Sequence, residues 1–376
     1  MRRKILLPLI GICIGGIGFG LITPVTVVLL EQNHADSFVT GSVTMIGYIS
    51  IIIFSSIAGK LIDRFNVKKI LTLGLFIWAF GALAHIFWYI YPLLYAIKFI
   101  MNIGGTFIFV ATEVVINHYS DETNRGKNIS LYVVLLSIGI AAGTLLIWTI
   151  QIADWLPFVI GSVIMFAVFV FQLIMFDDFE VHSKHEEREK MPFAKMPLVS
   201  ILSSIVYGLF ESSIIVALPM YGLRNGFNAN EVSFLLASFV IGGIVLLYIF
   251  GMLSDEYDQY NLLLINSFLL GAVLITPALT TNFVFLLVIF FIAGGIIPSF
   301  YTIGLNYTVR MVEKKYAVQA NGYYIMVYGI GTMAGPIAGS SLVDIDKQYG
   351  YWFFASALCF TFLLIFVSYK KKLAVK

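Results

Sequence analysis

Four ionisable residues lie within stretches that are otherwise apolar enough to cross a membrane: His85, Lys98, Glu113 and Glu211. An ionisable group there is costly and usually faces a cavity or a partner, so each is a candidate functional residue. Glu211, in YGLFESSIIVALPMY, is about ten residues from the nearer end of its stretch, or roughly 15 Å deep. Because removal from water favours a neutral carboxyl, Glu211 is the first candidate for proton coupling or cation recognition. The alternative is a carboxyl that only hydrogen-bonds two helices together.

Lys98 shares one helix face with Asn102 and Gly105, at spacings of i, i+4 and i+7. It can pair with Glu211 or bind an anionic part of a small molecule. We therefore take Lys98 and Asn102 with Glu211 as the candidate binding and coupling set. The alternative is that the long aliphatic stem of Lys98 carries its ammonium to the membrane surface.

Glu113 lies about 22 Å further along the same helix than Lys98. It is expected to pair with Arg125 or Arg64, which is a structural role rather than a binding one. His85 is interpreted as an interfacial residue, since aromatic side chains follow it closely in the sequence.

The composition places these residues in a membrane protein. The chain has 376 residues, 60% of them hydrophobic and 12% charged, with a mean hydropathy of +0.94. A soluble protein averages about 25% charged residues. The net charge of +2 gives no reason to expect nucleic acid, and the separated Cys13 and Cys359 make neither a disulfide framework nor a metal site.

Hydropathy predicts twelve membrane-spanning helices, because a span needs about 20 apolar residues and must close its own hydrogen bonds. The expected fold class is all-α and polytopic. The first apolar run is longer than the 7–15 residues of a signal-peptide core, so we expect it to stay as a span. The expected spans are 5–30, 39–62, 70–90, 93–116, 129–151, 155–175, 197–221, 231–253, 261–280, 283–309, 319–343 and 349–369.

Basic residues predict the orientation. With a cytoplasmic N-terminus, 20 of the 23 Lys and Arg residues fall on the inside, Arg224 and Lys347 fall outside, and Lys98 is within the membrane. Both termini are therefore expected in the cytoplasm and the protein in the cell membrane. The longest polar stretch predicts a linker at 177–196 between six-helix bundles at 1–176 and 197–376.

The two halves repeat short glycine patterns, which predicts two pseudo-symmetric six-helix bundles of the kind found in transporters. Two patterns recur at an offset of 192 residues and a third at 190. The pairs are Gly59-x-Leu61-x-Asp63 with Gly251-x-Leu253-x-Asp255, Gly139-x-x-x-Gly143 with Gly331-x-x-x-Gly335, and Gly104-Gly105 with Gly294-Gly295.

The segment GKLIDRFNVKK, between expected spans two and three, resembles the loop signature of the major facilitator superfamily. The matching residues are Gly59, Leu61, Asp63, Arg64 and Lys68. The family usually has Gly where this sequence has Asn66, and Asn tolerates the left-handed backbone better than most residues.

The resemblance implies a cytoplasmic gate. Gly59 would let another helix approach closely, and Asp63 sits unfavourably at the end of its own helix dipole, so it is expected to find an outside partner. Arg64, Glu113, Arg125 and the repeat residue Asp255 are assigned to the same gate. Lys68 belongs to it too, unless it merely anchors the topology.

Other segments resemble the family less closely. KFIMNIGG, from Lys98, is similar to the pattern of the fourth span, with Lys in place of Arg. GTMAGPIAG, residues 331–339, resembles a Gly-Pro pattern linked to antiporters, which the family carries in span five. Gly139, Gly143, Gly331, Gly335 and Pro336 are expected to pack helices closely. TEVVINHYSDETNRGKNISLY looks like a stretch found in a branch of small bacterial exporters that have no agreed substrate.

The resemblance and the buried carboxyl together favour a secondary transporter that exports a small molecule by proton antiport. A proton-coupled importer of a small metabolite and a lipid flippase are the alternatives. No Walker loop occurs, so no direct use of ATP is expected. We expect no enzyme activity, cofactor or metal, and we expect a monomer whose partners are substrate, protons and lipid. Tyr207, Tyr323 and Tyr324 are candidates to line the cavity.

Overall fold

The structure is a computed structural model that describes residues 2–120, 124–175 and 191–374, with side chains omitted at 2–5, 125–126, 255, 318 and 369–374. Twelve helices of the described chain are long and apolar enough to cross a membrane, which confirms the expected spans. No β-strand occurs in these residues. The helices are α1 (Arg2–Gln32), α2 (Ser37–Phe65), α3 (Val67–Ala84), α4 (Tyr91–His118), α5 (Arg125–Thr144), α6 (Leu156–Met175), α7 (Leu198–Arg224), α8 (Ala229–Glu256), α9 (Gln259–Leu274), α10 (Phe283–Met311), α11 (Ala317–Ile345) and α12 (Gly350–Ala374).

The chain divides into two compact units of six helices each, Met1–His185 (the first unit) and Glu186–Lys376 (the second unit). In the first unit α1 packs against α5, α2 against α4, and α3 against α4 and α6. In the second unit α7 packs against α11, α8 against α10, and α9 against α10 and α12. The same pairing, six helices later, is what a duplicated bundle requires.

The turn between α2 and α3 depends on Asn66, which has φ 73° and ψ 154°. Positive φ is uncommon outside glycine, and Asn is among the residues that adopt it most often. The Asn66 N–H donates to the Ile62 carbonyl at 3.0 Å and closes α2, and α3 begins at the next residue. The substitution of Asn for Gly therefore keeps the turn.

Two helices end earlier than the hydropathy pattern predicts. Helix α5 stops at Thr144 and is followed by a 3-10 helix at Ile147–Gln151, and α9 stops at Leu274 before a four-residue helix at Thr276–Leu279. Pro277 explains the second break, because proline has no N–H to donate and disfavours helical backbone at the preceding residue. Hydropathy alone misses such breaks because the residues stay apolar through them.

Polar residues set where the helices of the second unit begin. Asn228 accepts a hydrogen bond from the Glu231 N–H, and the Glu231 carboxylate accepts one from the Asn228 N–H, which forms a capping box for α8. Asp258 and Asn282 cap α9 and α10 in the same way from one side. These caps satisfy backbone donors that a helix start leaves unpaired.

Candidate functional site

Glu211 lies at the middle of α7, thirteen residues from each end of the helix. Both of its carboxylate oxygens accept hydrogen bonds from phenols. The Tyr207 hydroxyl donates to Oε1 at 2.7 Å, and the Tyr328 hydroxyl donates to Oε2 at 2.6 Å. Tyr207 is one turn earlier on α7, whereas Tyr328 belongs to α11. The Tyr328 hydrogen bond to Glu211 therefore links α11 to α7, whereas the Tyr207 hydrogen bond stays within α7.

Three tyrosine rings from three helices surround this carboxylate. The rings of Tyr207 and Tyr328 are stacked, with centroids 5.2 Å apart and planes at 18°. The ring of Tyr301 on α10 is tilted against both. Its centroid is 5.2 Å from that of Tyr207 and 5.8 Å from that of Tyr328, at interplanar angles of 56° and 74°. All four side chains are half-buried, so part of their surface is accessible. We call Glu211 and these three rings the tyrosine corner.

The carboxylate of the tyrosine corner has no cationic neighbour among the side chains that the structure describes, since no Lys, Arg or His forms an ion pair with Glu211. The phenols supply hydrogen bonds but no positive charge. A negative charge removed from water without a countercharge is costly. A carboxylate in this position therefore attracts a proton or a ligand cation.

The crossing of α7 and α11 beside Glu211 is tight. A β-carbon built on Gly208 would lie 2.3 Å from the Tyr328 carbonyl oxygen, and one on Gly331 would lie 2.4 Å from that of Ile205. Such distances leave no room for a side chain, so the backbones can approach only because glycines are present. The crossing thereby determines where Tyr328 meets Glu211.

The glycines expected to pack helices lie at this crossing and at its counterpart in the first unit. Gly139 and Gly143 of α5 face α1, and Gly331 and Gly335 of α11 face α7. At each of them a backbone oxygen lies 2.6 Å or less from the position of a β-carbon. Pro336, next to Gly335, lies inside α11 and removes one backbone donor there.

Lys98 is only 2% exposed, so its side chain is enclosed by the protein. Its Nζ donates to Thr23 Oγ1 of α1 at 2.9 Å. The Asn102 side-chain amide donates to the Lys98 carbonyl at 2.8 Å, along its own helix. Lys98 and Glu211 belong to different units, and the pair between them stays a prediction.

His85 is fully buried within the protein, and its position at the membrane interface stays a prediction. Its Nδ1 is 2.7 Å from the Gly81 carbonyl oxygen, and its ring centroid is 5.7 Å from that of Phe158 on α6. Within the described structure its Nε2 is buried without a hydrogen-bond partner.

The close helix approach expected at Gly59 stays a prediction. No described atom lies within 4 Å of a β-carbon built on Gly59, and the same holds at its repeat position, Gly251. Asp63 and Arg64 are exposed and Lys68 is half-buried. The Arg64 guanidinium lies 5.1 Å from the centroid of the ring of the following residue, Phe65.

Of the ion pairs predicted for the gate, only that of Glu113 with Arg64 has both side chains described. Glu113 is exposed, and among the described side chains it forms no ion pair with Arg64. The side chains of Arg125 and Asp255 lie outside the described residues, so the alternative pair of Glu113 and any role of Asp255 stay predictions.

The sequence identified one ring of the tyrosine corner and missed two. Tyr323 donates to the Met191 carbonyl at 2.7 Å, and Tyr324 is buried with its hydroxyl 3.2 Å from the Phe300 carbonyl oxygen, so neither contacts Glu211. Tyr328 is one turn after Tyr324, a spacing that marks a shared face. Which face points to Glu211 depends on the helix crossing, which no local pattern reveals.

Twelve spans in two repeated six-helix units are the architecture of a polytopic transport protein. The sequence model of the Major Facilitator Superfamily matches residues 9–205 and 200–375. The chain belongs to the Major Facilitator Superfamily, and it is a multi-pass membrane transporter.

Similar proteins carry the same family description. YfkF of Bacillus subtilis (strain 168), an uncharacterized MFS-type transporter, is 23% identical over 355 residues, 91% of this chain and 89% of the relative. Ent638_1421 of Enterobacter sp. (strain 638), also an uncharacterized MFS-type transporter, is 22% identical over 376 residues, 96% and 95% of the two chains.

Solved structures share the fold. A mutant of the nucleoside transporter NupG superposes with a TM-score of 0.81 at 13% identity, over 97% of this chain and 99% of the other. A bacterial homologue of the human lysosomal transporter Spinster, in an inward-facing and occupied conformation, gives 0.77 at 14% identity, over 97% and 94%. At these identities the likeness concerns the fold alone.

Proposed function

We propose that this transporter exports a small molecule in exchange for protons, and that Glu211 takes up and releases the proton. The proposal rests mainly on one observation: a carboxyl group at the middle of α7 has two phenol partners and no ion pair with a described side chain. The proposal includes a monomer in the cell membrane, with both termini in the cytoplasm and residues 177–196 as the linker between bundles.

A proton on Glu211 would change one hydrogen bond between helices. An ionised carboxylate only accepts hydrogen bonds, whereas a protonated carboxyl group also donates one. A proton on Oε2 would face the Tyr328 hydroxyl, which would then have to turn its own hydrogen away. Because the Tyr207 bond stays within α7, proton uptake would act selectively on the contact between α7 and α11.

Transporters of this architecture rock two repeats around a site near the membrane midplane. A group that holds either a proton or a substrate can then exchange one for the other. We propose that Gly59, Asp63, Arg64 and Lys68 close the cytoplasmic side in another state of the cycle.

The test uses purified protein in proteoliposomes that contain a pH-sensitive dye. The probe is the compound that raises the melting temperature most in a thermal-shift screen of metabolites and drugs at two pH values. Antiport predicts that an outward gradient of this compound drives protons into the vesicles, whereas symport predicts that protons leave with it. A flippase predicts no proton movement.

Glu211→Gln is expected to abolish proton movement, because an amide cannot take up a proton at neutral pH. Tyr323→Phe is the matched control, since its hydroxyl binds the Met191 carbonyl and not Glu211. If Glu211→Gln couples as well as the unmodified protein, Glu211 is not the coupling residue.

A further inference from the structure

We infer that the tyrosine corner binds an organic cation with a tertiary or quaternary ammonium group, and that this group is what the transporter recognises in its substrate. The inference rests on the proposed function, since it names the class of molecule carried by the same site. It follows from hydrogen-bond saturation, ring geometry and a comparison of the two units.

The hydrogen bonds of the tyrosine corner select against anions. The hydroxyl hydrogens of Tyr207 and Tyr328 both point to the Glu211 carboxylate, so neither is available to a substrate phosphate or carboxylate. The Glu211 carboxylate offers about four lone-pair positions, of which these phenols occupy two. What remains is negative charge and acceptor capacity, which suit a positively charged group.

The rings add an attractive surface that requires no hydrogen bond. A cation within about 6 Å of an aromatic ring centroid is attracted to the face of the ring, and aromatic cages recognise methylated ammonium groups in this way. The rings of Tyr207 and Tyr328 are stacked, and the ring of Tyr301 lies at 74° to that of Tyr328. A methylated ammonium group needs few or no hydrogen bonds, and it would lie against the accessible surface of these rings and the carboxylate.

The first unit indicates that the fold does not need this arrangement. The helix contacts give an offset of 192 residues for α4 and α10 too, since Gly47 lies against Asn102 in the first unit and Phe239 against Gly294 in the second. At this offset Phe19 corresponds to Glu211 and Phe109 to Tyr301. Phe19 and Phe109 stack with centroids 4.8 Å apart, beside a crossing of α1 and α5 that has the same glycine register. Because two apolar rings pack this place in one unit, the carboxylate and phenols of the other unit require a reason besides packing.

The experiment measures binding to the full chain in lipid nanodiscs by titration calorimetry. The probes are tetramethylammonium, choline and benzyltrimethylammonium, and 3,3-dimethylbutan-1-ol is the uncharged isostere of choline. We expect at least one cation to bind about ten-fold more tightly than the isostere. If none of the three cations binds more tightly than the isostere, the inference is overturned.

Variants identify the groups responsible, and each is first checked for an unchanged melting temperature and elution profile. Glu211→Gln should remove the preference for the cation over the isostere. Tyr301→Leu should weaken cation binding several-fold, while Tyr301→Phe keeps the ring and should retain it. Tyr323→Phe should change nothing. If Tyr301→Leu binds the cations as tightly as the unmodified protein, the aromatic rings do not contribute to cation binding.

The calorimetry and the proton assay separate the two proposals. If Glu211→Gln abolishes proton movement but the unmodified protein shows no cation preference, proton antiport stands and the cation inference falls. If cation preference depends on Glu211 while proton movement is unchanged in Glu211→Gln, the cation inference stands and Glu211 is not the residue that couples proton movement.

Discussion

The α1–α5 crossing of the first unit and the α7–α11 crossing of the second have the same glycine register but different side chains beside it. Gly139 and Gly143 recur as Gly331 and Gly335, and all four meet a backbone oxygen of the opposite helix. Glu211 occupies the place that Phe19 holds in the first unit. The glycines, which both units share, therefore allow the helices to cross closely. Glu211 is present at the crossing of the second unit only.

A buried lysine, in contrast, is present in the first unit and replaced by an apolar residue in the second. Lys98 of the first unit corresponds to Phe290 of the second, and its partner Thr23 corresponds to Ile215. Phe290 is fully buried. Each unit thus carries one ionisable group where the other carries a phenylalanine, on α4 in the first unit and on α7 in the second.

Helix packing differs in the same region. In the first unit α1 packs extensively against α6 and little against α4, whereas in the second unit α7 packs extensively against α10 and little against α12. The closer packing of α10 brings the Tyr301 ring to 5.2 Å from that of Tyr207. The tyrosine corner therefore depends on a departure from the symmetry of the repeat.

The substitutions with the largest expected effect test whether both helix crossings need glycine. Gly331→Leu and Gly139→Leu should each destabilise the protein by more than about 3 kcal/mol, because a side chain would overlap a backbone oxygen. The measurements are the yield of monodisperse protein and its melting temperature. Gly322→Leu on α11 is the control, since no described atom lies within 4 Å of its β-carbon position. A stable Gly331→Leu protein would contradict the equivalence of the crossings.

The next effect tests the added side chains. The double variant Glu211→Phe with Tyr301→Phe makes the second unit resemble the first at these positions. We expect a folded protein with a melting temperature near that of the unmodified chain, and loss of proton-coupled transport in proteoliposomes. Failure of the double variant to fold would mean that the carboxylate is structural.

A smaller effect tests the buried cation of the first unit. Thr23→Val removes the partner of Lys98 and should cost about 1–3 kcal/mol, because the buried ammonium loses a hydrogen bond. Adding Lys98→Met should recover most of that loss, since an apolar side chain of similar length needs no partner. Melting temperatures of the two single variants and the double variant measure the coupling. Additive effects would show that the Lys98–Thr23 bond contributes nothing.

The smallest effect concerns the turn between α2 and α3. Asn66→Val should destabilise the protein by about 1–2 kcal/mol, because a β-branched residue is strained at φ 73°. Asn66→Gly is the matched variant and should stay within about 1 kcal/mol of the unmodified protein, since glycine adopts positive φ freely. If chemical unfolding shows that Asn66→Val is more stable than Asn66→Gly, the positive φ at residue 66 is contradicted.

Much of the fold could be predicted from the sequence, and less of the site. The spans, the repeat and the turn at Asn66 follow from local properties: apolar length, glycine spacing and backbone tolerance. Glu211 could be found because a carboxyl in an apolar stretch is conspicuous. The full burial of His85 could not be predicted, because it depends on packing against Phe158 of α6. The close approach at Gly59 stays a prediction, because it depends on contacts between distant segments.

By itself the sequence determined that this chain crosses the membrane twelve times in two repeated halves, because each span must satisfy its own backbone hydrogen bonds in lipid. It also determined that a carboxyl lies in the middle of α7. Only the tertiary structure decided what surrounds that carboxyl. Tyr328, 117 residues away from Glu211, reaches it because glycines let α11 approach α7, and Tyr301 reaches it because α10 packs closely against α7.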